Sequence, residues 1–315
     1  MTRYIFSRLT QLVISLIVVS LITFLLMHAA PGDFLTIEAQ SGASQGAKIA
    51  GFSTSAYWQS KFAPSIPVWK QYLLWLRDAL FFDFGPSFSY PTTLIQDMVG
   101  RTFPISLQLA TLSTVVAILI GIPLGVLAAV RRNTWVDSVA TTLALLGRAL
   151  PPYLAAVFLI LVLSVQMKLV PALGWGQPKH YVLPVLALAL IPISTIARYV
   201  RTSLIEQLEQ DYVRTAWAKG GSMRQVVFGH ALRNSMIPVI TIIGPQIGGL
   251  MVGSIFIEQM LGIPGMGRLF GPAASSRDYP LIMASTVFFA GVIMGMNLVV
   301  DILYFFLNPR LRTAK

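Results

Sequence analysis

An all-α, polytopic membrane fold follows from three observations. Hydrophobic residues make up 55% of the 315 and charged residues only 11%, against about 25% charged in an ordinary soluble domain. Mean hydropathy is +0.72. Six runs approach the roughly 20 apolar residues that a spanning helix needs: Leu9–Ala30, Pro104–Val130, Val139–Val165, Val182–Ala197, Met236–Ile257 and Leu281–Leu307. Six spans leave no length for a second soluble core, so a single membrane domain over residues 1–315 is expected.

The first run follows Arg3 and Arg8, a pattern that a cleaved leader shares. It is longer than a leader's apolar region, and "HAAPGDF" is a poor small-residue cleavage site, so a retained span is expected. Residues 31–103 form the first connection. Glu38 to Ser65, rich in Ser, Gly, Ala and Gln, reads as a flexible loop. "IPVWKQYLLWLRDALFFDFG" reads as a helix with Val68, Tyr72, Leu73, Leu76 and Leu80 on one face and Lys70, Gln71, Arg77 and Asp78 off it. With Trp69, Trp75, Phe81 and Phe82 beside that face, two placements stay open: flat on the membrane surface, or packed on the ends of the spans.

The later spans carry small residues at four-residue spacing: Gly121/Gly125, Gly244/Gly248, Gly249/Gly253 and Gly291/Gly295. Such pairs let helices approach closely, within the chain or against another subunit. Pro151, Pro152, Pro184, Pro192, Pro238 and Pro245 bend helices and free carbonyls. Arg148 lies about ten residues into its run, near mid-depth at about 1.5 Å per residue. An intramembrane charge is costly unless satisfied, so Arg148 either lines a pathway or pairs with a carboxylate or helix carbonyls. Glu258, at the far end of the fifth run, reads as a gate or a helix-end charge, and Asp301 as a structural partner for an inner-face cation.

Charge placement sets the orientation, because cationic loops stay cytoplasmic. With the N-terminus inside, 13 of the 23 Lys and Arg fall in the short pieces 1–8, 131–138, 198–235 and 308–315. Nine fall in the much longer pieces 31–103, 166–181 and 258–280. Both termini and 198–235 are therefore expected in the cytoplasm. The net charge of +11 sits at span ends, which argues against nucleic acid.

Other chemistries are excluded. With no cysteine there is no disulfide, thiol nucleophile or cysteine-ligated metal. "GASQGAKIA" and "GIPGMGRLFG" fail the spacing of a phosphate loop and a dinucleotide fingerprint. His28, His180 and His230 lie on separate segments, and no serine or carboxylate has a catalytic setting. No cofactor is expected, and any ATPase that drives this chain lies on another chain.

One polar stretch remains, "DYVRTAWAKGGSMRQVVFGHALRNSMIPV" from Asp211 to Val239. Ser203–Lys219 is mostly good helix formers, and Gly220–Gly221 ends that helix as a C-cap pair. Ser222 with Gln225 gives the S-x-x-Q capping-box spacing for a second helix toward Asn234. Two short helices with an elbow make a rigid knob, or else a solvated connector.

The stretch resembles the "EAA" loop of prokaryotic ABC importer permeases, whose pattern is E-A-A-x3-G-x9-I-x-L-P. Gly220 sits at the glycine, Arg214–Thr215–Ala216 at E-A-A, and His230–Ala231–Leu232–Arg233 at I-x-L-P. The glutamate, isoleucine and proline are replaced, as in the dipeptide/oligopeptide/nickel permease family, whose version is D-Y-V-R-T-A-x-A-K-G followed by H-A-L-R-N. Gly221, where that branch often carries a larger residue, is a departure expected to loosen the elbow. "FSRLTQLVISLIVVSLITFLLMHAAPGD", "FDFGPSFSYPTTLIQDMVGRTFPISLQLA", "IEQMLGIPGMGRLFGPAASSRDYPLI" and "DILYFFLNPRLR" are similar to the same family, so the likeness runs almost the whole chain. The long first connection suits the first of the two permease types in such systems.

The resemblance implies a type I importer permease of six spans in a prokaryotic cytoplasmic membrane, with no catalysis of its own. It implies three further kinds of partner besides lipid: a second permease, two ATP-binding cassette ATPase subunits and an extracytoplasmic binding protein. It implies that Asp211, Arg214, Thr215, Ala216, Ala218, Lys219, Gly220, Gly221, His230, Leu232, Arg233 and Asn234 form the ATPase-coupling site, with Arg148 and Glu258 as pathway candidates. ATP binding would draw the knobs together and turn the spans outward, and Glu258–Pro280 and Lys48–Phe84 are candidates to receive the binding protein. Peptide is the default cargo of the family, with nickel chelate, glutathione or oligosaccharide as alternatives. A self-sufficient channel or secondary transporter competes with this reading but wants inverted repeats and paired intramembrane carboxylates. A membrane enzyme wants a cluster of catalytic residues at one depth.

Overall fold

The computed structural model describes residues 2–32, 34–40, 48–49 and 52–307. The order is α1 (Thr2–Ala29), α2 (Phe34–Gln40), α3 (Thr54–Phe62), α4 (Val68–Leu80), α5 (Ile95–Val130), α6 (Trp135–Ala149), α7 (Pro152–Leu159), α8 (Val182–Leu208), α9 (Asp211–Ala218), α10 (Met223–Val226), α11 (Leu232–Leu261), α12 (Gly267–Ser275) and α13 (Tyr279–Leu307). Lys48–Ile49 and Phe52–Ser53 form a minimal antiparallel pair. Among the described residues, five helical stretches are long and apolar enough to cross a membrane, and six are if the bent pair α6–α7 counts as one span. The helices fall into two compact units: Gln108–Ile257 with the chain from Gly295, and Thr2–Leu107 with Glu258–Met294.

The first unit is organised around α8. Gly121 and Gly125 of α5 lie against it so closely that a Cβ on Gly125 would come within 2.5 Å of the Ala197 carbonyl. That spacing therefore serves packing inside the chain. Gly244 meets Val300 and the Met296 carbonyl in the same way, whereas Gly249 and Gly295 face open space. Ala189, Ile196, Val200 and Leu204 of α8 form a buried cluster with Ala117 and Val126 of α5.

The expected third span is broken. α6 and α7 meet at 104°. Leu150 is extended (φ −86°, ψ 119°), as a residue before proline tends to be, and Pro151 has no N–H to continue the ladder. After α7 the chain widens into a π-helical stretch, Ile160–Gln166. Arg148 lies exposed two residues before the break. The fourth run is longer than expected, since α8 carries through Pro192 to Leu208.

The second unit holds an aromatic cluster: Phe24 of α1, Phe34 of α2, Trp58 and Phe62 of α3, Trp75 of α4, Phe88 and Tyr279. Phe34 stacks on Phe62 at 4.1 Å and meets Trp58 edge-on at 5.3 Å. This corrects the flexible loop expected over Glu38–Ser65. Its described parts include α3, because Thr54, Trp58 and Phe62 share one buried face among outward polar neighbours. Residues 41–47, 50 and 51 lie outside the described residues.

α4 forms where expected, and its polar face is the buried one. Gln71, Trp75 and Asp78 are buried, while Val68, Trp69, Leu73 and Leu80 are exposed. Asp78 is held inward by Lys61 at 2.6 Å and Arg77 at 2.8 Å. Gln71 donates to the Ile66 carbonyl and bonds His28 at 3.0 Å. These polar anchors turn the apolar stripe outward.

Candidate functional site

The polar segment 211–234 is built from α8 outward. The expected single helix Ser203–Lys219 is two helices, because the chain turns at Glu209 and Gln210 and restarts at Asp211. Gln210 is the extended N-cap of α9 without a side-chain bond, and Asp211 puts a carboxylate in the first turn, where the helix dipole favours it. One face of α9 is apolar: Val213 is buried with Val226, Val227, Ala231, Val200 and Leu204. Both arms of the knob are thereby pinned to α8.

The elbow is a Schellman turn. Gly220 takes the left-handed conformation (φ 81°), which costs glycine little. Its N–H donates to the Trp217 carbonyl (2.9 Å), and the Gly221 N–H donates to the Ala216 carbonyl (3.2 Å). Gly221 is not a loosening element. Its φ is not positive, its amide closes the turn, and a Cβ there would sit 3.0 Å from the Ala216 carbonyl oxygen and 3.1 Å from Val226 Cγ2.

The capping box read from S-x-x-Q is present. The Gln225 amide N–H donates to Ser222 Oγ (3.4 Å), and the Ser222 N–H donates to Gln225 Oε1 (2.9 Å). The second arm does not stop near Asn234. α10 passes through the wide turn Val227–Ala231 directly into α11, so Met223–Val252 is one continuous helical stretch. Val226, Val227 and Ala231 are apolar and buried, and they pack this turn against α8.

Three braces hold the knob's base. Tyr212 donates to Gln207 Oε1 (2.8 Å) and accepts from Asn234 Nδ2 (3.2 Å), joining α8, α9 and α11. Asp137 accepts two bonds from Arg201, at 2.6 and 2.7 Å, plus the Asn133 N–H at 3.0 Å. Arg132 pairs with Glu209 at 2.6 Å. None of Tyr212, Asp137 and Arg201 was singled out from sequence as a site residue. The available signal for the last two was one charge of each sign at the ends of neighbouring apolar runs.

What the segment exposes is cationic and aromatic. Arg214, Lys219, Arg224 and His230 are exposed beside Trp217, Met223 and Phe228. A groove of about 680 Å³ runs between the arms, lined by Thr215, Lys219, Arg224 and His230 among others. Arg214 meets Asp211 at 3.5 Å with both side chains open to solvent, a pair worth little. Of the residues proposed from sequence, Asp211, Arg214, Thr215, Ala218, Lys219, Gly220, His230, Arg233 and Asn234 are exposed, while Ala216, Gly221 and Leu232 are half-buried.

Glu258 belongs to the second unit. It is fully buried and accepts from the Gly267 N–H at 2.6 Å, at the start of α12. Ser106 Oγ accepts from the neighbouring Met266 N–H at 2.9 Å. Gly265 has no room for a Cβ, which would lie 2.5 Å from Glu258 Oε2. Beside this loop a groove of about 660 Å³ is lined by Tyr90, Thr102, Gln259 and Arg268 among others. A further buried carboxylate, Asp278, went unread. It accepts from the Phe88, Ser89 and Leu281 N–H groups at 3.1, 2.9 and 3.2 Å, so it caps α13 and fixes residues 87–89 at once.

Residues 121–313 match the family described as binding-protein-dependent transport system inner membrane component. The chain belongs to this family. It is 39% identical over 315 residues to the dipeptide transport system permease protein DppB of Bacillus subtilis, covering 100% of this chain and 99% of that one. It is 35% identical over 314 residues to the oligopeptide transport system permease protein OppB of Haemophilus influenzae, covering 99% and 100%. A chain of the MetNI methionine ABC transporter, solved in inward-facing conformations, superposes with a TM-score of 0.55 at 17% identity, over 67% of this chain and 96% of that one. This likeness shows the shared type I permease fold. The chain is thus a multi-pass transport permease of the ABC importer class.

Proposed function

We infer that this permease is half of a translocation pathway for di- or oligopeptides, and that 211–234 couples it to ATPase subunits on separate chains. The observation that carries the coupling is mechanical. α9, the Schellman elbow and α10 form one hydrogen-bonded unit, and α10 runs without a joint into α11. A push on the exposed cationic edge is therefore delivered to a spanning helix, which a flexible loop does not do. The peptide cargo is supported by relatives named for dipeptide and oligopeptide transport that align along the whole chain.

On this reading α9 and the elbow enter a groove on the ATPase, with Asp211, Arg214, Thr215, Ala218, Lys219 and His230 at its surface. Ala216, Gly221 and Leu232 keep the knob in shape. A second permease completes the pore, and an extracytoplasmic binding protein delivers the peptide. The span plan, the cytoplasmic placement of 198–235 and both termini follow the cation distribution. Arg148 keeps its pathway role as an exposed cation at the α6–α7 break. Glu258, engaged at the start of α12, organises the loop rather than meeting cargo.

The test is copurification followed by transport. Tagged chain from its native host is expected to bring down ATPase subunits and a second permease, and vesicles holding the complex are expected to take up labelled dipeptide only with ATP and binding protein. Uptake by this chain alone, without ATP, sinks the reading in favour of a self-sufficient transporter.

A further inference from the structure

α4 is an amphipathic helix turned inside out. Along its 13 residues the polar side chains Gln71 and Asp78 point into the protein with Trp75 between them. The exposed stripe Trp69, Leu73 and Leu80, spaced i, i+4 and i+11, lies opposite, with Leu76 at its edge partly buried against the aromatic cluster. Trp69 is 66% and Leu80 73% exposed, and Phe81 and Phe82 extend the stripe past the helix end. Water is a poor solvent for such a face, and a monomer rarely leaves one this continuous. Phe82 also has a φ of 59°, unusual for a bulky residue. The backbone thus holds an exposed aromatic ring in a conformation that local preference disfavours.

The depth of α4 says what covers this stripe. Tyr72 bonds Ser20 at 2.9 Å and its ring lies 5.3 Å from Phe24, while the neighbouring Gln71 bonds His28. These contacts set α4 at the level of Phe24, five residues and about 8 Å from the end of α1 at Ala29. An interfacial helix buries its apolar face about 5–10 Å into the boundary between headgroups and acyl chains. Exposed apolar residues of α1 at and below that level, among them Val18, Leu21, Ile22 and Leu25, form the surface of a spanning helix. Lys70 lies exposed on one side of the α4 stripe, where a long stem carries its cation up to lipid phosphates.

We propose that α4 is a lipid-embedded interfacial helix, lying in the leaflet at the C-terminal end of α1, with Trp69, Leu73, Leu80, Phe81 and Phe82 among the acyl chains and Lys70 at the phosphates. The Lys61–Asp78–Arg77 cluster is the latch that presents this face to lipid. The proposal rests only on the chain spanning a membrane and is independent of cargo and coupling. A second protein seated on the stripe is the competing occupant.

The chain has no cysteine, so single replacements give clean spin labels. Leu73→Cys and Leu80→Cys, each at an exposed position, are made in the full chain, purified with its copurifying subunits and reconstituted into vesicles of phosphatidylethanolamine and phosphatidylglycerol. Collision rates with oxygen and with a water-soluble nickel chelate are then measured. Both labels are expected to collide more with oxygen than with nickel, at equal depth, the reverse order of a Gln59→Cys label on the polar side of α3. Nickel exceeding oxygen at both positions puts the stripe in water, and low rates for both reagents put it under protein. Either result overturns the proposal.

Discussion

Arg201 of α8 grips Asp137 of α6 with two hydrogen bonds, 2.6 and 2.7 Å long, and Asp137 is almost wholly buried. The pair fixes the α5–α6 turn against α8 one helical stretch before the knob begins at Asp211. A buried pair contributes little over an apolar substitute, but removing one partner strands the other charge at a cost of about 3–5 kcal/mol. Asp137→Asn is expected to lower thermal stability sharply, and Asp137→Leu with Arg201→Met to recover most of it. A double-mutant cycle on melting temperature checks this; additive losses refute it.

Gly220 and Gly221 do different jobs, and their variants separate them. Gly220 needs a left-handed backbone, so Gly220→Asn is expected to be tolerated, Gly220→Ala to cost about 1–2 kcal/mol, and Gly220→Pro to break the turn by losing the bond to Trp217. Gly221→Ala keeps the backbone but presses on Ala216 and Val226. Binding-protein-stimulated ATPase activity is the readout. It should fall in the order Asn, Ala, Pro at 220, with the chain still inserted. Full stimulation of the proline variant contradicts coupling through this elbow.

The Ser222 box is the local support of the second arm. Ser222→Ala removes the side-chain acceptor for the Gln225 amide and is expected to cost about 1 kcal/mol. The loss should appear as faster hydrogen exchange confined to 222–227, with α11 unaffected. Uniform exchange along the helix contradicts a local cap.

The parts read correctly from sequence are those where one residue type leaves few conformations. Gly220 had to end a helix, Ser222 with Gln225 had to start one, and runs such as Pro104–Val130 had to be helical. What escaped depended on partners distant in the chain. The α4 periodicity located the helix but not its inner face, because Lys61 and His28 decide that face from 17 and 43 residues away. Asp278 carries no local signal because its partners at 87–89 lie some 190 residues earlier. Glu258 stayed open between a gate and a helix-end charge because no pattern shows that Gly267 engages it.

Asp78 gives the α4 latch a pH dependence with a definite sign. Burial acts to raise its pKa, but the hydrogen bonds and charges of Lys61 and Arg77 outweigh it and hold the carboxyl below the ordinary value of 3.8. A depressed folded pKa means stability that is fully present above the unfolded value and lost as pH falls through the folded one. The wild type should therefore exceed Asp78→Asn in melting temperature by a constant margin at neutral pH. That margin should begin to shrink near pH 3.8 and vanish below the folded value. A margin unchanged down to that range shows that Asp78 is not the latch.

Glu258 closes the series because its two readings predict opposite results. Its carboxylate accepts from the Gly267 N–H in a fully buried site. Glu258→Gln keeps an acceptor and removes the charge, so a structural role predicts folding and transport near wild type. Glu258→Ala strands a buried donor, costing about 1–3 kcal/mol, and should loosen α12 as well. A charged gate predicts instead that both variants lose transport equally while both remain folded. Uptake by the glutamine variant, measured beside its melting temperature, separates the two, and retained uptake assigns Glu258 to the loop that starts α12.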